Sequence, residues 1–154
     1  MRSLRPWVPA ILWAALIWFF STAEFSAEGT SRIIVPLLHR LLPQASPEEL
    51  EAMHFFLRKA GHFVEFFIFS ALILRGVRRE RTGWKASWGL AAVVIAAGYA
   101  TLDELHQAFV PARTASPLDS LLDTCGAVAA QLLAWGRARW AARRASGDRA
   151  SPLP

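Results

Sequence analysis

Cysteine and charged residues are scarce in this sequence. The 154 residues include one cysteine, Cys125, which excludes an intrachain disulfide and any zinc or redox site built on a cysteine pair. Charged residues make up 19% of the chain and hydrophobic residues 54%, a balance that excludes intrinsic disorder. Because this apolar excess is gathered in long blocks, the sequence predicts burial in a lipid bilayer and not in the core of a soluble domain.

Four apolar blocks run along the chain, at residues 6–23, 62–74, 86–102 and 117–135. Each is near the lower end of the length at which a helix crosses a hydrocarbon core of about 30 Å. The sequence therefore predicts an all-α fold: a polytopic membrane bundle of four transmembrane helices in a single domain at 1–145, with a cytoplasmic tail at 146–154. The first block also resembles a signal peptide with a cleavage site at Ser21-Thr22-Ala23, but its tryptophan and phenylalanine content favours a membrane anchor.

The segment between the first two blocks is mostly polar. It contains an apolar run at 33–42 that is interrupted by Pro36, which predicts a short interfacial helix on the extracytoplasmic side. Ser46 then has the character of a helix N-cap, and Pro47 suits the first helical position. Nothing from there to Gly76 breaks a helix except Gly61, so the second membrane helix is expected to begin well before its apolar block.

Basic residues are distributed unevenly along the chain. Twelve of the 17 lie at the N-terminus, between the second and third blocks, or after the fourth block, and only two of the 12 acidic residues accompany them. Because positively charged flanks stay on the cytoplasmic side, both termini and the loop at 75–85 are predicted to be cytoplasmic. The net charge of +5 thus reflects membrane topology, and we expect no nucleic-acid partner.

Polar side chains gather at the opposite ends of the blocks. Helical spacing places three pairs on shared faces: His62 with Glu65, Asp103 with His106, and Asp119 with Asp123. Ionisable groups at a membrane surface are costly unless they are paired or hydrated, so each helix should turn these residues inwards. The sequence therefore predicts a polar cluster at the extracytoplasmic end of the bundle. His39 and His54 lie in the segment outside these pairs and are expected to be surface histidines.

Two motifs in this region are recognisable. The sequence KAGHFVEF at 59–66, followed by DELHQAFVPAR at 103–113 and then Ser116, Asp119 and Gly126, resembles the VanZ family of bacterial membrane proteins. The resemblance extends from about residue 25 to 126. It implies a small integral protein of the bacterial cytoplasmic membrane, in a family named for a member linked to low-level resistance to the glycopeptide teicoplanin. It implies no settled biochemical activity, and Phe66 stands where the family frequently has tyrosine.

Three interpretations of the polar cluster remain open. In the first, Lys59 and Arg113 form ion pairs with the carboxylates and hold the helix ends together. In the second, the cluster binds a ligand: basic side chains hold a phosphate or pyrophosphate, and hydroxyls add donors. The donors would be Arg58, Lys59, Arg113, Thr114 and Ser116. Membrane lipids are then the expected partners, and the family resemblance adds a lipid-linked peptidoglycan precursor or a glycopeptide antibiotic.

The third interpretation is enzymatic. Imidazoles and carboxylates suit a divalent metal such as zinc or manganese, or an acid–base pair acting on a phospholipid or polyprenyl phosphate. The candidate donors are His62, Glu65, Asp103, His106, Asp119 and Asp123. The chain has no HExxH, GxSxG or P-loop motif, so beyond a possible metal it implies no cofactor.

We predict a ligand-binding set drawn from all three segments. Its members are Lys59, His62, Glu65, Asp103, Glu104, His106, Gln107, Arg113, Ser116 and Asp119. Within it, Arg113 stands in a loop stiffened by Pro111, where a guanidinium can present two parallel donors to a phosphate. Its replacement is therefore expected to harm recognition more than stability.

Overall fold

The computed structural model describes residues 4–111, 113 and 115–147, and these residues form an all-α structure. Thr114 and most of the predicted tail lie outside the described residues. The described part contains five α-helices: α1 (Val8–Phe20), α2 (Ala27–Leu41), α3 (Pro47–Arg78), α4 (Ala86–Gln107) and α5 (Pro117–Gly147). Single turns of 3₁₀ helix at Arg5–Trp7 and Ala23–Phe25 precede α1 and α2.

Helix α3 begins where the sequence predicts. The Ser46 hydroxyl accepts the Glu49 backbone N–H at 3.2 Å, and the Glu49 carboxylate accepts the Ser46 N–H at 2.8 Å, so the two residues form a capping box. Pro47 occupies the first turn, where its missing N–H costs nothing. The helix then continues through Gly61 for 32 residues, about 48 Å at the usual helical rise. It is therefore longer than a hydrocarbon core is thick.

Helix α2 is longer than the predicted interfacial helix. It begins at Ala27 because Ser26 caps it by accepting the Gly29 N–H at 3.1 Å, and Glu28 complements the first turn. It also continues through Pro36, which removes one internal hydrogen bond without ending the helix.

Small residues allow the helices of the bundle to pack closely. Helix α3 makes the most extensive contacts, first with α5 and then with α4. Ala92, Ala96 and Ala100 lie on one face of α4 and are fully buried. On α5, Gly126 lies so close to α3 that an added Cβ would be 2.3 Å from the Phe63 carbonyl oxygen. The close approach of α3 and α5 depends on this glycine.

Two helices in the described part are long and apolar enough to cross a membrane, α3 and α4. Only 33% of the most apolar window of each is buried within the chain, so most of these side chains face outwards. The apolar segment Arg5–Phe20 is shorter, and α5 does not reach the same hydropathy. The structure thus shows two candidate spans, and the number four stays a prediction.

Candidate functional site

A cavity of about 120 Å³ lies at one end of the bundle, enclosed by the end of α1, by α3 and α4, and by the loop before α5. Five of the ten predicted ligand-binding residues line it: His62, Glu65, Asp103, Gln107 and Arg113. Arg58 and Ser21 also line it, together with apolar side chains from α1 and the following turn. The structure therefore brings half of the predicted ligand-binding residues together around one cavity.

Arg113 joins the loop before α5 to the end of α1. Its Nε and Nη2 atoms donate to the carbonyl oxygen of Thr22 at 3.1 and 3.0 Å, and Nη2 also donates to the carbonyl of Phe20. These carbonyls lie at the C-terminal end of a helix, where a cation is favoured by the helix dipole. Burial lowers the pKa of the Arg113 guanidinium, and the positive charge of Arg58 lowers it further.

Arg58 makes a similar connection on the other side of the cavity. Its Nη1 donates to the carbonyl of Phe25 at 3.0 Å and to the Thr30 hydroxyl at 3.1 Å. Both arginines thus hold the turn between α1 and α2. Arg58 Nη2 and Arg113 Nη1 make no hydrogen bond with any residue that the structure describes. Each guanidinium therefore keeps a nitrogen available for a ligand.

The carboxylates facing the arginines have buried oxygens without donors. Asp103 is 3% exposed, and its Oδ2 accepts the Gln107 amide at 2.8 Å. Asp103 Oδ1 and Glu65 Oε1 are buried and receive no hydrogen bond from any described residue. Buried acceptors without donors destabilise a structure by about 1–3 kcal/mol each, so this side of the cavity favours a molecule that donates hydrogen bonds.

His62 also contacts a carboxylate outside the predicted ligand-binding set, Asp123, which the sequence counts only among the donors of an enzymatic site. Its Nδ1 is 3.4 Å from Oδ1 of Asp123, which is completely buried on α5. At this distance the two form an ion pair when the imidazole is protonated. The helical spacing from Asp119 to Asp123 is the signal that could have placed Asp123 in the set.

Four predicted residues tie α5 to the other helices outside the cavity lining. Lys59 on α3 forms an ion pair with Asp119 on α5. Glu104 on α4 accepts the backbone N–H of Ser116 through Oε2 at 2.7 Å. These contacts fit the interpretation in which charged groups hold the helix ends together.

His106 and His54 both make contacts that no sequence pattern indicates. The Nδ1 of His106 lies 3.2 Å from the hydroxyl of Ser21, and its ring stacks on Trp18. His54 is 3% exposed, and its Nε2 lies 3.1 Å from the Thr30 hydroxyl. The prediction of a surface histidine is therefore wrong for His54, because α2 packs on this part of α3. It is confirmed for His39, which is exposed.

The predicted metal donors do not converge. In the part of the chain that the structure describes, no three histidine, cysteine or acidic side chains are arranged to hold a metal ion. His62 and His106 contact different partners, Asp123 and Ser21. The geometry therefore gives no support to a site with both imidazoles as ligands of one metal.

Comparison with known proteins identifies one family. The model of the VanZ/LLP1 family matches residues 7–139, which include every cavity-lining residue and every predicted site residue. Comparisons with curated proteins and with solved structures give no match.

Proposed function

Since this chain belongs to the VanZ/LLP1 family, we propose that its cavity binds the head group of a phosphate-bearing envelope lipid, such as a lipid-linked peptidoglycan precursor. The observation that carries the proposal is that two arginines and two incompletely paired carboxylates face each other across one space. A head group that contains both a phosphate and hydrogen-bond donors satisfies both sides at once.

The arginine side suits the phosphate. Arg58 and Arg113 are fixed by backbone carbonyls, so neither loses much side-chain freedom when a ligand binds. Each retains a guanidinium nitrogen that can donate to an anionic oxygen.

The carboxylate side suits hydroxyl or ammonium groups. Asp103 Oδ1 and Glu65 Oε1 can only accept hydrogen bonds when ionised, and a second anion beside them would be repelled. Sugar hydroxyls or an ethanolamine ammonium supply the missing donors.

The size of the cavity indicates that the rest of the ligand lies outside it. About 120 Å³ corresponds to roughly four water molecules, which is enough for a phosphate and its nearest substituents. Ile17, Phe20 and Phe25 border the space, and the exposed side chains of α1 beyond it are apolar. A lipid chain could therefore follow this surface.

We expect the purified protein to distinguish two short-chain phospholipids whose head-group ammonium carries either hydrogens or methyl groups. Dihexanoylphosphatidylethanolamine should bind about tenfold more tightly than dihexanoylphosphatidylcholine, since trimethylation removes the donors that the carboxylates require. Isothermal titration in a detergent below the lipids' micellar range measures both affinities.

The matched control is Arg32→Gln, which removes an exposed arginine that does not line the cavity and should leave both affinities unchanged. Equal affinity for the two lipids would contradict the proposal. Tighter binding of teicoplanin than of either lipid would indicate that the cavity recognises the antibiotic and not a lipid head group.

We further infer that the chain crosses the membrane four times, with both termini cytoplasmic and the cavity extracytoplasmic. The charge bias supports this arrangement, as do the outward-facing apolar side chains of α3 and α4. Exposed Ile33, Leu37 and Leu41 follow one another at helical spacing on α2, as expected for a helix at the interface.

Cysteine labelling tests this orientation. In a Cys125→Ser background, Gln44→Cys should react with a membrane-impermeant thiol reagent in intact cells, and Thr82→Cys should react only after lysis. Both positions are exposed, so accessibility within the fold does not differ between them. Labelling of Thr82→Cys but not Gln44→Cys in intact cells would place the cavity in the cytoplasm.

A further inference from the structure

Ser21 has the surroundings of an activated hydroxyl. It ends α1, it is 2% exposed, and its Oγ lies 3.2 Å from Nδ1 of His106 on α4. The imidazole stacks on Trp18 with ring centroids 3.9 Å apart and planes at 23°. This stacking fixes the orientation of the imidazole ring. A serine hydroxyl within hydrogen-bonding distance of a positioned imidazole is the arrangement that activates serine as a nucleophile.

The same serine lines the proposed head-group cavity. Arg113 lines this cavity too, and it donates to the backbone carbonyls of Phe20 and Thr22, the residues on either side of Ser21. Negative charge that develops on the phosphoryl oxygens when Ser21 attacks the phosphorus would be stabilised by the guanidinium of Arg113 and by Arg58.

We propose that Ser21 is a nucleophile and His106 its general base in the cleavage of a phosphodiester in a lipid head group. This inference rests on the proposed function, because it uses the same cavity and the same two arginines. It names a reaction that binding alone does not require.

The reaction needs only water in addition to the lipid. The Ser21 Oγ attacks phosphorus and its proton passes to His106 Nδ1, which must be the unprotonated nitrogen of a neutral ring. The bond from phosphorus to the departing ester oxygen breaks, and that oxygen takes the proton from His106 and leaves as an alcohol. Water then attacks the phosphoserine diester and gives its proton to His106, the phosphorus–Oγ bond breaks, and Ser21 recovers its proton. The products are the alcohol and a phosphomonoester.

A structural role for the same contact makes different predictions. If the hydrogen bond between Ser21 and His106 only joins α1 to α4, the hydroxyl has no enhanced reactivity. Reactivity towards an organophosphorus electrophile therefore separates the two roles, and it can be measured without knowing the natural lipid.

The full-length protein in detergent is incubated with a fluorophosphonate, and the adduct is located by mass spectrometry. We expect a single adduct at Ser21 that is absent from Ser21→Ala. His106→Asn keeps a hydrogen-bonding group near the Nδ1 position but cannot take a proton, and should slow labelling by about 100-fold or more. Ser146→Ala, which alters an exposed serine on α5, is the matched control and should label like wild type.

Turnover is measured on the same preparation by phosphorus NMR with dihexanoylphosphatidylethanolamine. A phosphomonoester signal should appear with wild type and not with Ser21→Ala. The near-UV circular dichroism of Ser21→Ala should match that of wild type, which shows that loss of signal is not caused by unfolding of the variant.

The outcomes separate the two proposals. Lipid binding by wild type without any Ser21 adduct would overturn the assignment of Ser21 as a nucleophile and leave the proposed function in place. A Ser21 adduct without phosphomonoester formation would overturn the phosphodiester as the substrate. Absence of lipid binding by wild type would contradict the proposed function itself.

Discussion

Replacement of Arg113 by lysine is expected to weaken head-group binding almost as much as replacement by alanine. The guanidinium uses Nε and Nη2 to hold the end of α1 and can use Nη1 for the ligand, whereas an ammonium cannot serve both directions with the same geometry. Loss of one hydrogen bond to a charged group costs about 1.5–3 kcal/mol, so the dissociation constant should rise about 10- to 100-fold in both variants. Titration with dihexanoylphosphatidylethanolamine measures this change.

The structure also changes what is expected for stability. From the loop position alone, loss of Arg113 should leave the fold intact, but its hydrogen bonds to the carbonyls of Phe20, at the end of α1, and Thr22, just after it, show a structural role. Arg113→Ala should therefore lower the free energy of unfolding by about 2 kcal/mol, and Arg113→Lys by less, since lysine can still approach one carbonyl. Thermal unfolding in detergent, followed by tryptophan fluorescence, provides the comparison.

Binding and stability together identify the role of Arg113. Wild-type lipid affinity in a folded lysine variant would exclude a requirement for the guanidinium in recognition. Arg40→Lys offers a control, because Arg40 is exposed on α2 and does not line the cavity, so neither quantity should change.

The starts of α3 and α5 were predictable because their signals are local, whereas α2 begins at Ala27, before the apolar run from which a helix was expected. Ser46, Pro47 and Glu49 lie within four consecutive residues, and their capping interactions require no distant partner. Pro117 likewise begins α5 where the fourth apolar block begins. Helical periodicity also predicted that His62 and Glu65 lie on the same face of α3, since positions i and i+3 share a face whatever the helix packs against.

Pairings between helices were much less predictable. Lys59 had several carboxylates available on sequence grounds, and only the packing of α3 on α5 selects Asp119. Ser21 and His106 are 85 residues apart, and a serine that ends an apolar block has the pattern of a cleavage site. His54 is buried because α2 folds back on α3, a contact with no periodic signal in the sequence.

A single methyl group at Gly126 is expected to lower stability by steric overlap. Its added Cβ would be 2.3 Å from the carbonyl oxygen of Phe63, a backbone atom that can move only if α3 moves. Overpacking of this kind costs about 1–3 kcal/mol, so Gly126→Ala should lower the melting temperature by about 5 °C. The variant gains helix propensity, which offsets part of this loss.

Gly98→Ala and Gly136→Ala are the matched controls. An added Cβ at either position meets nothing within 4 Å, and both residues are exposed, Gly98 on α4 and Gly136 on α5. Each replacement should leave the melting temperature unchanged or raise it, because alanine is favoured over glycine in a helix by about 1 kcal/mol. Unfolding of all three variants in the same detergent isolates the steric effect from the change in propensity.

Gly126→Ala should also weaken lipid binding, although Gly126 does not line the cavity. Phe63 follows His62 on α3, and Gly126 lies about one turn after Asp123 on α5, so separation of the two helices draws His62 away from Asp123. Asp123 would then be a buried carboxylate without its partner. His62, which lines the cavity, would lose the contact that positions its imidazole. Wild-type affinity in a folded Gly126→Ala protein would show that the α3–α5 contact supports the fold without positioning the site.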